Sequence, residues 1–293
     1  MGEGRKRRFG DRRDGRRLRT LEPYNEMTPF IMKYRSDSSN YLSDSMEVSE
    51  VERFLRRKRI DGYQGMGMLH FFIAAYIRVI SQYPSVNRFI SGQRIYARNN
   101  IEYVMTIKKE LKADAPETSI KVIFDPRDTI NDVYRKLNEE IDKYKTKGEA
   151  TNTDDVAKLL MKLPRLVLKL VVRSLEILDY FGMMPQAILN ASPFHGSAII
   201  TDLGSIGLPA IYHHLYNFGN MPVFIALGAK RKTRELGYDG GIVERKYVDI
   251  KFVMDERVCD GFVFSQGYRV FRSIFRNPGI VDKPPEKVVE DID

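Results

Sequence analysis

Lys246-Tyr247-Val248-Asp249-Ile250-Lys251-Phe252-Val253-Met254-Asp255-Glu256-Arg257-Val258-Cys259-Asp260-Gly261 is the stretch on which the fold of this chain turns. Val248, Ile250, Phe252 and Met254 fall on one side of an extended backbone and Tyr247, Asp249, Lys251 and Val253 on the other, which is the period of a half-buried strand. Asp255 to Gly261 then carries five charged or thiol groups in seven residues. It closes on a glycine, which permits a tight turn. A rigid strand that aims a charged loop is where function tends to sit.

Downstream, the spacing predicts a helix over about 262–275, stopped by Asn277-Pro278-Gly279, and then an extended tail over 277–293. Upstream, the apolar runs at 197–203 and 222–228 read as buried strands, with Gly204, Gly207 and Gly228 allowing turns. The strongest helix signal is Met66–Tyr83, where Leu69, Phe72, Ile73, Tyr76, Ile77 and Ile80 recur at three- and four-residue spacing before Pro84. His70 on this helix reads as a packing residue. Residues 101–107 and 120–124 alternate as strands, either a hairpin or neighbours in a mixed sheet. A helix over 129–145 presents Ile130, Val133, Leu137, Ile141 and Tyr144 on one face, and Thr129 with Asp132 approximates a capping box. Between Leu21 and Arg59 the pattern is irregular: a turn at 36–40, then a strand leading into a short helix that ends on Arg56-Arg57-Lys58-Arg59.

The segment Asp255–Gly261 resembles the Asp-His-Arg-x-x-Asp-Gly signature of the dihydrolipoyl acyltransferase catalytic domain, the core of the 2-oxo acid dehydrogenase complexes, which shares its fold with chloramphenicol acetyltransferase. Six of seven positions fit, and Glu256 stands where that family keeps its catalytic histidine. Residues 197–207 resemble the family's Phe-Thr-Ile-Ser-Asn-Leu-Gly-x-x-Gly, residues 222–228 its Gln-Ala-Ala-Ile-Leu-Ala-Val-Gly, and Pro84–Gly92 its Pro-x-x-Asn-x-x-x-x-Gly. The resemblance implies an α/β chloramphenicol acetyltransferase-like fold, a mixed β-sheet flanked by helices, over residues 21–276, assembled as a homotrimer whose sites are shared between neighbours. It also implies coenzyme A or its acyl thioester as substrate and a small-molecule acyl acceptor. In the family a histidine deprotonates the attacking thiol or hydroxyl, and a Ser or Thr hydroxyl stabilises the oxyanion. Carried over, Thr201 takes the oxyanion position, Asp260 fixes the loop through an arginine for which Arg35 is the candidate, and Gly261 matches the motif glycine.

Glu256 at the base position is poorly matched, because a glutamate pKa of about 4.3 lies far from a thiol at about 8.5. The expected function is therefore a coenzyme A-dependent acyltransferase whose activity is weakened, redirected or lost. The alternative is a catalytically inactive trimeric binding or scaffold protein, a pseudoenzyme on the same fold. His195, His213 and His214 are the histidines that could stand in. No spacing of Cys or carboxylate accompanies them, so no metal is expected. Cys259 becomes a nucleophile only if a positive neighbour lowers its pKa.

A composition 43% hydrophobic and 30% charged suits one globular domain. Cys259 is the lone cysteine, which excludes an intrachain disulfide and suits the cytoplasm. No apolar segment follows the basic N-terminus, so no secretory signal is expected, and with about 60 residues before the main helix no lipoyl domain, and hence no lipoyl attachment, is expected either. Residues 1–20 account for six of the +9 net charge and read as a basic flexible arm. Arg5, Arg7, Arg8, Arg12, Arg13, Arg16 and Arg17 would there face an anionic partner, RNA, DNA or lipid. Only Phe9 is aromatic among them, so base stacking is not supported. Residues 151–190 are an added helical insertion: two helices split by Pro164, the first capped by Thr153 or Asp154. Lys162, Arg165, Lys169, Arg173 and Glu176 interrupt the apolar run 159–178 every three or four residues, which argues against a transmembrane segment. A surface helix packed on its own domain is one reading, and a helix lying in the plane of an anionic membrane is the other.

Overall fold

The computed structural model describes residues 6–108, 117–145, 152–237 and 239–293. Alternation in the quoted stretch produces strand β9 (Ile242–Asp255), next to one edge of a six-stranded mixed sheet. The other strands are β2 (Ser39–Glu47), β5 (Ile101–Lys108), β6 (Glu117–Phe124), β7 (Ala198–Asp202) and β8 (Val223–Leu236), in the order β2-β9-β8-β7-β5-β6. β7 runs parallel to β5 and to β8, and every other pairing is antiparallel. Val248, Ile250 and Phe252 are buried in the main core, together with Ile225 of β8 and Ile200 of β7. Their opposite neighbours, Val253 and Phe224, are also buried, because Leu215 packs on that face.

Helices α2 (Ser49–Ile60), α3 (Met68–Gln82), α4 (Ile130–Lys145) and α8 (Gly261–Arg276) supply the rest of that core. α3 is the innermost, with Phe71, Phe72, Ile73 and Ile77 all inaccessible. The capping box of α4 is present: Asp132 N–H donates to Thr129 Oγ1 at 3.4 Å, and Thr129 N–H to the Asp132 carboxylate at 3.0 Å. His70 accepts from Gly67 N–H at 3.1 Å, and burial lowers its pKa, as befits a packing residue.

A helix over Pro23–Ile31, a three-stranded second sheet and a further helix over Gln186–Ala191 have no counterpart in the sequence reading. α1 (Pro23–Ile31) forms despite Pro23, which sits in its first turn where no N–H is needed, and Pro29. The short strands β1 (Gly15–Arg17), β3 (Arg88–Ser91) and β4 (Arg94–Arg98) form a second sheet in the order β1-β4-β3. β3 and β4 join through Gly92 (φ 55°) and Gln93 (φ 58°), a two-residue hairpin turn with both residues left-handed. A Cβ on Gly92 would also lie 2.1 Å from the carbonyl oxygen of Tyr180, so this glycine is required twice over.

β1 corrects the expectation of a flexible arm over 1–20. Arg5 lies outside the described residues, but the side chains of Arg7, Arg8, Arg12, Arg16 and Arg19 have partners within this chain, while Arg13 is exposed. Arg12 is buried and ion-paired with Asp14 at 2.9 Å and Asp179 at 2.5 Å, and its guanidinium lies over Phe89 and Tyr96. Arg8 pairs with Asp293 at 2.8 Å, Arg19 with Asp11 at 2.9 Å, and Arg16 donates to the carbonyls of Asp291 and Ile292. The 277–293 tail is extended beyond a short 3₁₀ turn at Pro278–Asp282, but it is docked: Arg88 holds Asp291 through two hydrogen bonds, and Val289 N–H donates to Ser81. Arg8 and Arg16 of one chain end thus meet Asp293 of the other.

Residues 152–191 form α5 (Asn152–Met161), α6 (Arg165–Tyr180) and α7 (Gln186–Ala191), with Pro164 dividing the first two. Asp179, the one buried residue of α6, meets Arg12 and His195. Among the described residues no helix is long and apolar enough to cross a membrane.

Candidate active site

The turn after β9 is held from three sides. Asp255, fully buried, accepts from the Arg257 guanidinium at 2.7 and 2.6 Å and from Ser38 Oγ at 3.2 Å, with Arg35 Nε at 3.9 Å. Arg35 donates in addition to the carbonyls of Ile90, Tyr216, Asn217 and Gly219. Burial pulls its pKa down to about 10 although Asp255 opposes the shift, so the guanidinium stays charged at neutral pH. Glu256 N–H donates to the carbonyl of Ser38 at 2.9 Å, tying the turn to the start of β2.

Asp260 has a different partner from the one the resemblance implied. Its Oδ1 caps α8, accepting from Phe262 N–H and Val263 N–H, both at 2.9 Å, while Arg35 serves Asp255. The physical reason is local: a helix begins at Gly261 and leaves its first N–H groups unsatisfied, and Asp is among the best residues to meet them. Asp260→Ala is therefore expected to cost about 1 kcal/mol of stability in urea unfolding, with Asp260→Asn recovering most of it.

These constraints leave Glu256 exposed. No hydrogen bond or ion pair of its side chain occurs among the described residues, and Arg257, its neighbour in sequence, is committed to Asp255. Glu256 borders a cavity of about 450 Å³ between the β2–β9 end of the sheet and helices α3 and α8. Tyr41, Tyr76, Phe252, Met254, Cys259 and Tyr268 are among its walls. That volume is within the range of small-molecule sites, and the lining is mostly apolar. Burial pushes the Cys259 thiol up to about 12, outweighing Arg88, so it is not an activated nucleophile. Tyr268 donates to Asp44 at 2.6 Å, and its pKa is raised by burial and by that carboxylate.

Thr201 is elsewhere. It is half-buried on β7, paired in register with Ala226, which in turn pairs with Lys251 of β9. Glu256 is thus two strands across and roughly 16 Å farther along the strand direction. One chain does not bring the two together. Beside Thr201 the segment 205–212 exposes Ile206, Leu208, Ile211 and Tyr212. The histidines do not replace Glu256: His195 is buried between Ser192 Oγ at 2.7 Å and Asp179 at 3.3 Å, His213 stacks on Phe224 at 4.2 Å, and His214 packs on Tyr216. Sequence reading missed the role of Asp255, whose signal was its place in the motif, and the tyrosines of the cavity, which carried no signal.

No protein-family model and no curated protein sequence matches this chain. Solved structures do. An Azotobacter vinelandii dihydrolipoamide acetyltransferase, in a study of a serine, a histidine and an asparagine in its catalytic mechanism, is 12% identical with a TM-score of 0.56, over 95% of each chain. The cubic core of a pyruvate dehydrogenase multienzyme complex is 13% identical with a TM-score of 0.55, again over 95% of each chain. A chloramphenicol acetyltransferase is 12% identical with a TM-score of 0.52, over 87% of this chain and 96% of its own. At such identity the likeness establishes the fold: this chain has the chloramphenicol acetyltransferase-like fold of acyltransferase catalytic cores, a mixed sheet flanked by helices.

Proposed function

We propose that this chain is a coenzyme A-dependent acyltransferase that moves an acyl group between a thioester and a small-molecule acceptor, with Glu256 in the position of the family's histidine. The observation that carries the reading is the loop itself: Glu256 stands exposed beside a cavity, without a side-chain partner among the described residues, on a turn fixed by the Asp255–Arg257–Arg35 cluster and by the Asp260 cap. Loop rigidity of this kind is what positioning a reacting group demands. Thr201 is assigned to the oxyanion and Glu256 to the proton, and their separation within one chain calls for a second copy to complete the site. The apolar surface at 205–212 beside Thr201 suits such an interface. The working unit is a homotrimer, by analogy with the fold, and the cytoplasm is its proposed compartment, in keeping with the unpaired Cys259.

A catalytically inactive trimeric binding protein is the second reading, and one observation favours it. A catalytic base is usually oriented by a third group, and Glu256 has none among the described residues. Loss of the acetyl-coenzyme A thioester against a panel of thiol, amine and alcohol acceptors separates the two: turnover above the protein-free rate supports the enzyme, and none with any acceptor supports the binding protein. Light scattering at micromolar concentration should return three times the 34.0 kDa chain mass. A monomer would contradict both readings.

A further inference from the structure

α6 is anchored at its C-terminal end, where Asp179 meets Arg12, and Leu168, Val171, Leu175 and Leu178 along it are half-buried; among the described residues no apolar side chain of α6 is fully buried. Leu166 is 78% exposed and Leu170 67%, and Ile177 continues the same row two turns farther on, past Ser174. Phe181 and Met183 extend the apolar surface past the C-terminal end of the helix, and Leu159 and Met161 extend it before the N-terminal end. Arg165, Lys169 and Arg173, at four-residue spacing, form a second row beside the first. With Lys158 and Lys162 they make five cations between residues 156 and 175, a span without a single acidic residue. Glu176 offsets only Arg173, at 2.8 Å on an exposed surface. In the chain's basic N-terminal segment, by contrast, Arg8, Arg12 and Arg19 are paired with carboxylates of the chain itself.

From these two parallel rows we infer that the α5–α6 unit is a docking surface for an anionic lipid membrane. α6 lies in the plane of the interface, with Leu166, Leu170 and Ile177 entering the acyl boundary and the Arg165–Lys169–Arg173 row meeting phosphate headgroups. Charge complementarity selects this occupant: a cationic row beside an apolar row is the pattern of an interfacial helix, and a second copy of the same surface would bring like charges together. The inference is independent of any catalytic role for Glu256.

Flotation of the full chain with vesicles containing phosphatidylglycerol, compared with phosphatidylcholine alone, is the test. Binding to the anionic vesicles only, weakening as salt is raised, is expected. Lys162→Gln, Arg165→Gln and Lys169→Gln together should weaken it on the order of 100-fold. Leu166→Ser with Leu170→Ser should weaken it by more than about 10-fold. All five positions are on exposed helix or loop surface, so melting curves should match the parent. Arg53→Gln on α2 should leave binding unchanged, and an equal loss there would trace the attraction to overall charge and overturn the proposal. Equal flotation with phosphatidylcholine, or a charge variant that floats like the parent, overturns it too. So does absence of flotation with a smaller assembly mass for the leucine variant, which would show that a second copy covers the helix.

Discussion

Glu256→His is expected to raise acyl transfer from acetyl-coenzyme A, or hydrolysis of its thioester, by up to roughly 10²-fold. The substitution supplies a group titrating near 6.5, close to the working pH, on a turn whose backbone is already fixed by Asp255, Arg35, Arg257 and Ser38. Little has to move, because Glu256 is exposed and its side chain holds no other element in place. Glu256→Gln works in the opposite direction: it removes the charge at nearly constant shape, so any native turnover that depends on the carboxylate falls steeply. If the parent and both variants show no thioester chemistry, the site is not catalytic, and the binding-protein reading takes its place.

Arg12→Ala is expected to cost about 3–5 kcal/mol, read as a lowered urea midpoint, because it strands two buried carboxylates, Asp14 and Asp179. Arg12→Lys should recover only part of this, since an ammonium cannot reproduce the fork that reaches Asp14, Ser91 and Asp179 at once. Removing residues 1–20 is expected to destabilise the fold for the same reason, with β1 lost as well. The pH dependence has a definite sign. Burial alone would raise the Asp179 carboxyl, but the hydrogen bond with His195 and the charge of Arg12 hold it well below the usual carboxylate range. A depressed folded-state pKa stabilises above the unfolded value of about 3.9 and ceases to do so as pH falls through the folded one. In Arg12→Ala, where the carboxyl is less depressed, the loss of stability as pH falls below about 4 should therefore be smaller than in the parent and end at a higher pH. A shift below about 1 kcal/mol would mean that the network is relaxed by solvent.

Much of the fold is legible from local pattern. Period-two alternation gives β9, β5 and β6, the apolar runs give β7 and β8, and three-to-four spacing gives α3 and α4, because each of these elements buries one face against the same core. The β3–β4 hairpin is too short to show a period, and it rests on the Gly92–Gln93 turn and on contact with Tyr180. The N-terminal cations are misread for a deeper reason. Composition treats a cluster of arginines as solvated, while two of the anions that meet them, Asp179 and Asp293, lie far away in sequence, and the near ones, Asp11 and Asp14, do not by themselves signal a buried pair. Asp260 shows the same limit in the site, since an aspartate before a helix has a local use, the cap, that competes with a distant arginine. Glu256, by contrast, is evident from the motif alone, and its exposure follows from neighbours whose charges are spent on one another.

The claim that one site is built from two copies is tested most directly by complementation. A chain carrying Glu256→His with Thr201→Ala has the base and lacks the oxyanion hydroxyl, whose removal is worth about 10²–10³-fold. The parent has the hydroxyl and lacks the histidine. Refolded together, the two chains form mixed assemblies in which His at position 256 of one copy meets Thr201 of another. Acetyl-coenzyme A turnover in the mixture should then exceed that of either chain alone, whereas turnover equal to the average of the two would contradict a shared site.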